Sequence, residues 1–86
     1  MKTIGIIAGN GRFPVLVAEE ARRSGNRVVV CAIEKEADPV LEQKADVCLW
    51  VKIGQLKKLR DFFRSEGVSE AVMAGKVEKV RLFRGN

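Results

Sequence analysis

The stretch that decides the fold is Thr3-Ile4-Gly5-Ile6-Ile7-Ala8-Gly9-Asn10-Gly11-Arg12-Phe13-Pro14. Its apolar first half is typical of a β-strand that is buried on both faces. Gly9 and Gly11 then indicate a tight turn, because a residue without a Cβ can turn sharply and lie close to a ligand. Pro14 suits the first turn of a helix, where its missing N–H breaks no bond. The free amides and positive end of such a helix attract anions, so this unit predicts a phosphate-binding edge.

Strand and helix patterns alternate along the rest of the chain. Apolar runs predict strands at residues 4–8, 27–33, 47–51 and 68–74. The first helix is expected to bury a stripe of four residues with helical spacing: Phe13, Leu16, Val17 and Ala21. The third has the strongest stripe, formed by Leu56, Leu59, Phe62 and Phe63. Gly25 and Gly67 are expected to follow the ends of these two helices.

A shorter helix is predicted between the second and third strands. Asp38 is expected to cap it and Pro39 to be its first residue. Val40, Leu41 and Ala45 give this segment an apolar side.

The β-α-β-α-β-α-β order predicts an α/β fold, a Rossmann-like open sheet of parallel strands joined by right-handed crossovers. The strand order typical of such a sheet is 3-2-1-4. A helix usually follows the fourth strand, whereas only residues 77–86 remain in this sequence. We therefore expect residues 1–77 to form an incomplete Rossmann-like domain. Residues 78–86 are expected to be a basic tail that leads towards a missing remainder, or the sheet is completed by another subunit.

Composition and charge limit the classes of partner. The chain has 86 residues, a formal charge of +5 and an isoelectric point near 9.6. This excess of basic residues favours phosphates, nucleotides or acidic lipid head groups. We expect no nucleic-acid partner, because no basic patch is interleaved with aromatic residues. No apolar run approaches the roughly 20 residues that span a bilayer, and no signal peptide is evident, so we expect a cytoplasmic protein.

The cysteine and histidine content excludes some kinds of catalytic site. Cys31 and Cys48 lie inside apolar, strand-like runs and are expected to be reduced core residues. The chain has no histidine. It therefore cannot build a Cys/His zinc site or use serine–histidine catalysis by itself.

The order of the strands predicts where a ligand binds. Doubly wound sheets bind ligands beyond the carboxyl ends of the strands, at the point where the strand order reverses. With the order 3-2-1-4, that point lies between Gly9-Asn10-Gly11-Arg12 after the first strand and Gly75-Lys76 after the fourth. These turns are expected to flank one crevice, with Arg12 and Lys76 as phosphate-binding cations. Gln55, which follows the third strand, is expected on the same edge as part of the wall that faces the first turn.

Two other interpretations of these residues remain open. Gly9 and Gly11 supply the first two glycines of a dinucleotide fingerprint, and Glu34 ends the second strand near the position of a ribose-binding acid. Pro14 stands where the third glycine would allow close strand–helix contact, so a nucleotide (NAD-type) binding module is an alternative. A second alternative is a non-catalytic interaction domain, whose exposed fourth-strand face would drive homo-oligomer formation.

Four motifs in register give a family resemblance that runs almost end to end through this chain. Residues 4–14 resemble the opening of the LpxI-type UDP-2,3-diacylglucosamine pyrophosphatases. The further matches are Glu36-Ala37-Asp38-Pro39, Ile53-Gly54-Gln55-Leu56 and Val72-Met73-Ala74-Gly75-Lys76-Val77. The resemblance implies a bacterial hydrolase of lipid A biosynthesis that converts UDP-2,3-diacylglucosamine and water to UMP and lipid X. It also implies a metal-dependent reaction and a lipid bound between two domains.

The resemblance covers only the first part of the family's amino-terminal domain. The family's catalytic acids belong to the carboxyl-terminal domain, so no catalytic or metal-ligating residue is assigned here, and magnesium is implied only for the complete enzyme. The acids of this chain predict no carboxylate cluster, Glu34 and Glu36 being the nearest pair. We expect no turnover by this chain alone, with a UDP-sugar lipid or lipid X as its ligand. A peripheral position at the inner membrane surface is also open. The expected binding residues are Gly9, Asn10, Gly11, Arg12, Phe13, Gln55, Gly75 and Lys76.

Overall fold

The computed structural model describes residues 1–76, which form four strands and three helices. All strand pairs are parallel and the order is β3-β2-β1-β4, which confirms the predicted fold class and topology. The predicted tail at 78–86 and the last residue of the predicted domain lie outside the described residues. The elements in chain order are β1 Thr3–Ala8, α1 Phe13–Arg23, β2 Arg27–Ile33, α2 Leu41–Lys44, β3 Val47–Val51, α3 Leu56–Ser65 and β4 Glu70–Ala74.

The sheet is covered on both faces, which explains the continuous apolar runs of its inner strands. Side chains alternate along each strand, so neighbouring residues enter different core layers. The layer under α1 and α2 is centred on Ile6, Val15, Val28, Val30 and Leu41. The layer under α3 is centred on Val29, Cys31, Val51 and Phe63.

The buried side of α1 differs from the predicted stripe. Val17 and Ala21 of that stripe pack against the core as partly buried side chains. Phe13 and Leu16 are 61% and 48% exposed, whereas Pro14, Val15 and Ala18 are buried. The reason is a contact made by the first turn of the helix. The Pro14 ring Cγ lies 2.9 Å from the position that a Cβ on Gly75 would occupy, so the turn after β4 sets which side of α1 faces the sheet.

The predicted stripe of α3 is confirmed except at its first residue. Leu59, Phe62 and Phe63 pack in the core layer of this face, while Leu56 is 74% exposed. Val68 also packs in this layer. Its amide donates to the carbonyl oxygen of Phe63 at 3.0 Å and thereby closes the end of α3. For this reason β4 begins at Glu70. The sequence had predicted a start at residue 68.

The second helix is shorter than the sequence predicted and begins later. It is a single turn, Leu41–Lys44, so Pro39 is not its first residue. Asp38 does act at this end, because its Oδ1 accepts a hydrogen bond of 2.9 Å from the amide of Val40. This bond lies in the turn that precedes the helix.

Gly5, in the middle of β1, allows α3 to pack closely on the sheet. A Cβ at this position would lie 2.9 Å from Cγ1 of Val68 and 3.0 Å from two ring atoms of Phe63. Both neighbours belong to the core layer under α3. The absence of a side chain in the central strand is therefore a packing requirement.

We expect Gly5→Ala to lower the free energy of unfolding by about 1–3 kcal/mol, the usual cost of overpacking a core. Urea unfolding followed by circular dichroism measures this change. The matched control is Gly5→Ala combined with Phe63→Leu, since removing part of the ring should relieve the clash, and the two effects should not add. A single variant as stable as the original chain would contradict the packing role of Gly5.

Candidate functional site

The turns after β1 and β4 are paired through their backbones. The Gly9 amide donates to the carbonyl oxygen of Ala74 at 2.9 Å. Asn10 and Lys76 exchange two hydrogen bonds, of 2.5 Å from the Asn10 amide and 3.0 Å from the Lys76 amide, in an antiparallel bridge. We call this pairing of residues 9–10 with residues 75–76 the clasp. It places Gly75 and Lys76 on the same wall as Gly9 and Asn10, so the expectation of a crevice between the two turns is wrong.

The glycines of the clasp are required by backbone contact. A Cβ on Gly9 would lie 2.5 Å from the carbonyl oxygen of Lys76, and a Cβ on Gly75 would lie 2.6 Å from that of Asn10. Both distances are far inside van der Waals contact. Gly75 also has a φ of +92°, which side chains of L-residues disfavour. The sequence interpretation reserved the space beside Gly9 for a ligand, whereas in the structure the backbone of Lys76 occupies it.

Gly11, Arg12 and Phe13 form the outward side of the same turn. All three are exposed, and a Cβ on Gly11 would meet nothing within 4 Å. Their amides have no hydrogen-bond acceptor among residues 1–76. The amino terminus of α1 therefore presents unbonded donors and its partial positive charge at the surface.

Two cations lie at the ends of this surface. Neither Arg12 nor Lys76 forms an ion pair within the described part of the chain. The nearest relevant acid along α1 is Glu19, whose pKa is lowered chiefly by its hydrogen bond and ion pair with Lys44, at 2.8 Å. The Arg12 guanidinium also lowers the pKa of Glu19, although less than Lys44 does, and it forms no ion pair with that carboxylate.

Gln55 belongs to a different wall of the carboxyl edge. Its Oε1 accepts a hydrogen bond of 2.7 Å from the Lys52 amide and so holds the turn before α3. Together with Ile7 and Met73 it lines an apolar pocket of about 200 Å³ between the sheet and α3. No hydrogen bond joins Gln55 to the clasp among residues 1–76. The sequence interpretation missed this pocket; the motif Ile53-Gly54-Gln55-Leu56 was its only local signal.

The described residues offer little of the chemistry that hydrolysis needs. Residues 1–76 hold no group of three or more His, Cys, Asp or Glu side chains that could bind a metal ion. They therefore do not fit the divalent metal that the family resemblance implies. Burial raises the pKa of the Cys31 and Cys48 thiols to about 11 each, so both are protonated at neutral pH and neither is a thiolate nucleophile. Among these residues no helix is long and apolar enough to cross a membrane.

We expect Gly9→Ala to open the clasp, because its Cβ would collide with backbone that cannot rotate away. Amide hydrogen exchange at Asn10 and Lys76 should become about tenfold faster or more, which corresponds to the loss of at least one hydrogen bond worth about 1.5 kcal/mol. The control is Gly11→Ala, which has room for the methyl group but strains a φ of +102°. That variant should lose about 1–3 kcal/mol of stability while Asn10 and Lys76 stay protected. Unchanged exchange in Gly9→Ala would show that the clasp does not depend on glycine.

Comparison with known proteins identifies the family of this chain. The sequence matches the LpxI N-terminal domain family over residues 3–86. A curated relative, the UDP-2,3-diacylglucosamine pyrophosphatase LpxI of Caulobacter vibrioides, is 33% identical over 81 residues. That alignment covers 92% of this chain and 28% of the relative, so the chain spans little more than a quarter of that protein's length. The family match extends over almost the whole sequence, and the chain belongs to the LpxI N-terminal domain family.

Proposed function

We propose that this chain is the amino-terminal, ligand-binding part of a UDP-2,3-diacylglucosamine pyrophosphatase. The complete enzyme would convert UDP-2,3-diacylglucosamine and water to UMP and lipid X, which is 2,3-diacylglucosamine 1-phosphate. The observation that carries the proposal is the outward side of the clasp. Three amides at the start of α1 have no acceptor among residues 1–76, and the exposed side chains of Arg12 and Lys76 form no ion pair with any of these residues. Membership of the LpxI N-terminal domain family supports the identity of the ligand.

The surface suits a sugar phosphate or pyrophosphate. Amides at a helix amino terminus bind phosphate oxygens, and the helix dipole favours the negative charge. Arg12 can add a bidentate contact, whereas Lys76 acts as a point charge. The clasp fixes the backbone of Asn10 and Lys76 before any ligand arrives. A ligand would therefore lose little binding free energy to ordering this part of the site.

The role proposed for this chain is binding and orientation of the substrate. The thiols of residues 1–76 are protonated, and these residues bring no carboxylate cluster together. A divalent metal supplies Lewis-acid chemistry and an activated water where it is bound. The family resemblance implies that the acidic residues for that chemistry lie in the part of the longer enzyme that this chain does not span. Arg12 and Lys76 would hold the pyrophosphate in position for attack by water.

One observation favours the nucleotide-binding alternative. Glu34 is exposed directly after β2, where a ribose-binding acid would lie. The position of the third glycine is occupied by Pro14, which is buried against Gly75. The fingerprint uses a glycine here for close packing of helix on strand. Because a proline replaces it, the fingerprint is incomplete, so a sugar phosphate is favoured over NAD.

We expect Arg12→Ala and Lys76→Ala each to weaken lipid X binding by about 1.5–3 kcal/mol, the usual contribution of a charged hydrogen bond. Amide NMR spectra of the labelled chain, recorded during titration, would measure the affinity and locate the shifts. The matched controls are Arg23→Ala, at the other end of α1, and Lys2→Ala, at the amino edge of the sheet. Arg23 is paired with Glu20 and Lys2 with Glu70, so neither change should alter binding.

Three outcomes would count against this function. Equal losses in the control variants would remove Arg12 and Lys76 from the site. Saturable shifts with NADH alone, weakened by Glu34→Ala, would favour the nucleotide-binding module. Hydrolysis of the UDP-lipid by this chain with magnesium, at an enzyme-like rate, would contradict a role confined to binding.

A further inference from the structure

The apolar pocket beside α3 lies immediately next to the clasp. Its lining includes Ile7 of β1 and Met73 of β4, which stand two residues before Gly9 and Gly75 respectively. Two residues of extended strand span about 7 Å. One ligand could therefore hold a phosphate at the clasp and place another group in this pocket. We call it the α3 pocket.

The lining of the α3 pocket favours a hydrocarbon group. Its walls are the side chains of Ile7, Ile33, Val51, Ile53, Leu59 and Met73. The polar side chains at its rim are those of Lys52 and Gln55, and the Gln55 Oε1 already accepts the Lys52 amide. A uracil base would bring several polar atoms into this space without partners, which costs free energy. An alkyl chain has no such atoms and gains from leaving water.

Two large apolar side chains at the mouth of the α3 pocket are left in water. Leu56 is 74% exposed and Met73 is 65% exposed, although both line the pocket. Exposed apolar side chains that lie together usually mark a binding surface. Methionine is flexible enough to follow the shape of a chain that enters.

We propose that the α3 pocket binds a fatty acyl chain. This proposal rests on the proposed function: the bound acyl chain would be one of the two acyl groups of the sugar lipid whose phosphate would lie at the clasp. The phosphate and the hydrocarbon would then both bind next to the same pair of strands, β1 and β4. The phosphate binds beyond their carboxyl ends, and the acyl chain binds on the face that α3 covers.

A second apolar groove of about 420 Å³ runs along α1 and is an alternative place for a chain. Ile4, Phe13 and Leu16 line it, and it continues to Ser24 and Asn26. Those last two residues follow α1 at the amino edge of the sheet. The groove begins at Phe13, beside the outward side of the clasp, and runs from there to the amino edge of the sheet. The polar side chains of Glu20, Ser24 and Asn26 line much of its length, whereas the α3 pocket is lined mainly by aliphatic side chains, so the α3 pocket suits a hydrocarbon chain better.

Neutral alkyl glucosides carry a hydrocarbon chain but no phosphate, so they test binding of the hydrocarbon by itself. The protein, labelled with ¹³C at its Ile, Leu and Met methyl groups, would be titrated separately with methyl glucoside and with octyl glucoside, the latter below its critical micelle concentration. We expect saturable shifts at Ile7, Ile33, Ile53 and Met73 with octyl glucoside. Its affinity should exceed that of methyl glucoside by about tenfold or more, because burying each methylene group contributes about 0.8 kcal/mol.

The variants Met73→Glu and Leu56→Glu should weaken octyl glucoside binding by about tenfold or more. Both side chains are exposed, so these changes should leave the fold intact, and circular dichroism checks this. The matched control is Val72→Glu, which alters the neighbouring residue of β4 on the opposite face, where the side chain is 43% exposed. Its effect should stay below about twofold, since it does not line the pocket.

Three results would overturn the proposal. These are equal losses with Val72→Glu, equal affinities for the two glucosides, and shifts confined to Ile4 and Leu16 in the α1 groove. A separate titration with glucosamine 1-phosphate tests the clasp. If octyl glucoside binds the α3 pocket and glucosamine 1-phosphate leaves residues 9–13 and 76 unshifted, the proposed function fails and the hydrocarbon site stands. The reverse result overturns the acyl pocket alone.

Discussion

The backbone pairing between Asn10 and Lys76 is the constraint on which the candidate site depends. The strand order brings the ends of β1 and β4 together, and the two hydrogen bonds form because both turns carry glycine at the point of closest approach. The ring of Pro14 packs against Gly75, and this contact orients the first turn of α1. The exposed amides of residues 11–13 follow from that orientation. A local contact between two backbones thus determines which amides at the start of α1 are left at the surface.

The alternation of side chains along β1 and β4 divides the carboxyl edge into two chemical environments. Ala8 and Ala74 enter the core layer under α1, whereas Ile7 and Met73 face α3 and line its pocket. Polar backbone groups therefore lie beyond the strand ends, and apolar side chains lie beneath them on one face. An amphipathic ligand fits such an edge better than a purely polar one. This arrangement connects the family to which the chain belongs with the proposed recognition of a phosphorylated lipid.

Two chemical properties of the described residues bear on the proposed binding role. The core thiols are protonated at neutral pH, and residues 1–76 gather no set of metal ligands. The relative from Caulobacter vibrioides is matched over only 28% of its length, so most of such an enzyme lies outside this chain. A separation of substrate binding from catalysis between parts of one enzyme would let each part be shaped for one task.

The amino-acid sequence by itself determined the strands and their order, and it predicted the edge of the sheet where the candidate site lies. The bounds of β2 and β3 follow directly from apolar runs, and the glycines after α1 and α3 mark the helix ends, because these signals are local. Three features were decided only by the tertiary structure: the exposure of Phe13 and Leu16, the direct pairing of the glycine turns, and the α3 pocket. Apolar residues lie on more than one side of α1, so the periodicity of the sequence does not determine which side is buried. The contact between Pro14 and Gly75, which is visible only in the tertiary structure, accounts for the buried side. The pairing and the pocket likewise arise from residues far apart in the chain, whose contacts exist only once β4 lies beside β1.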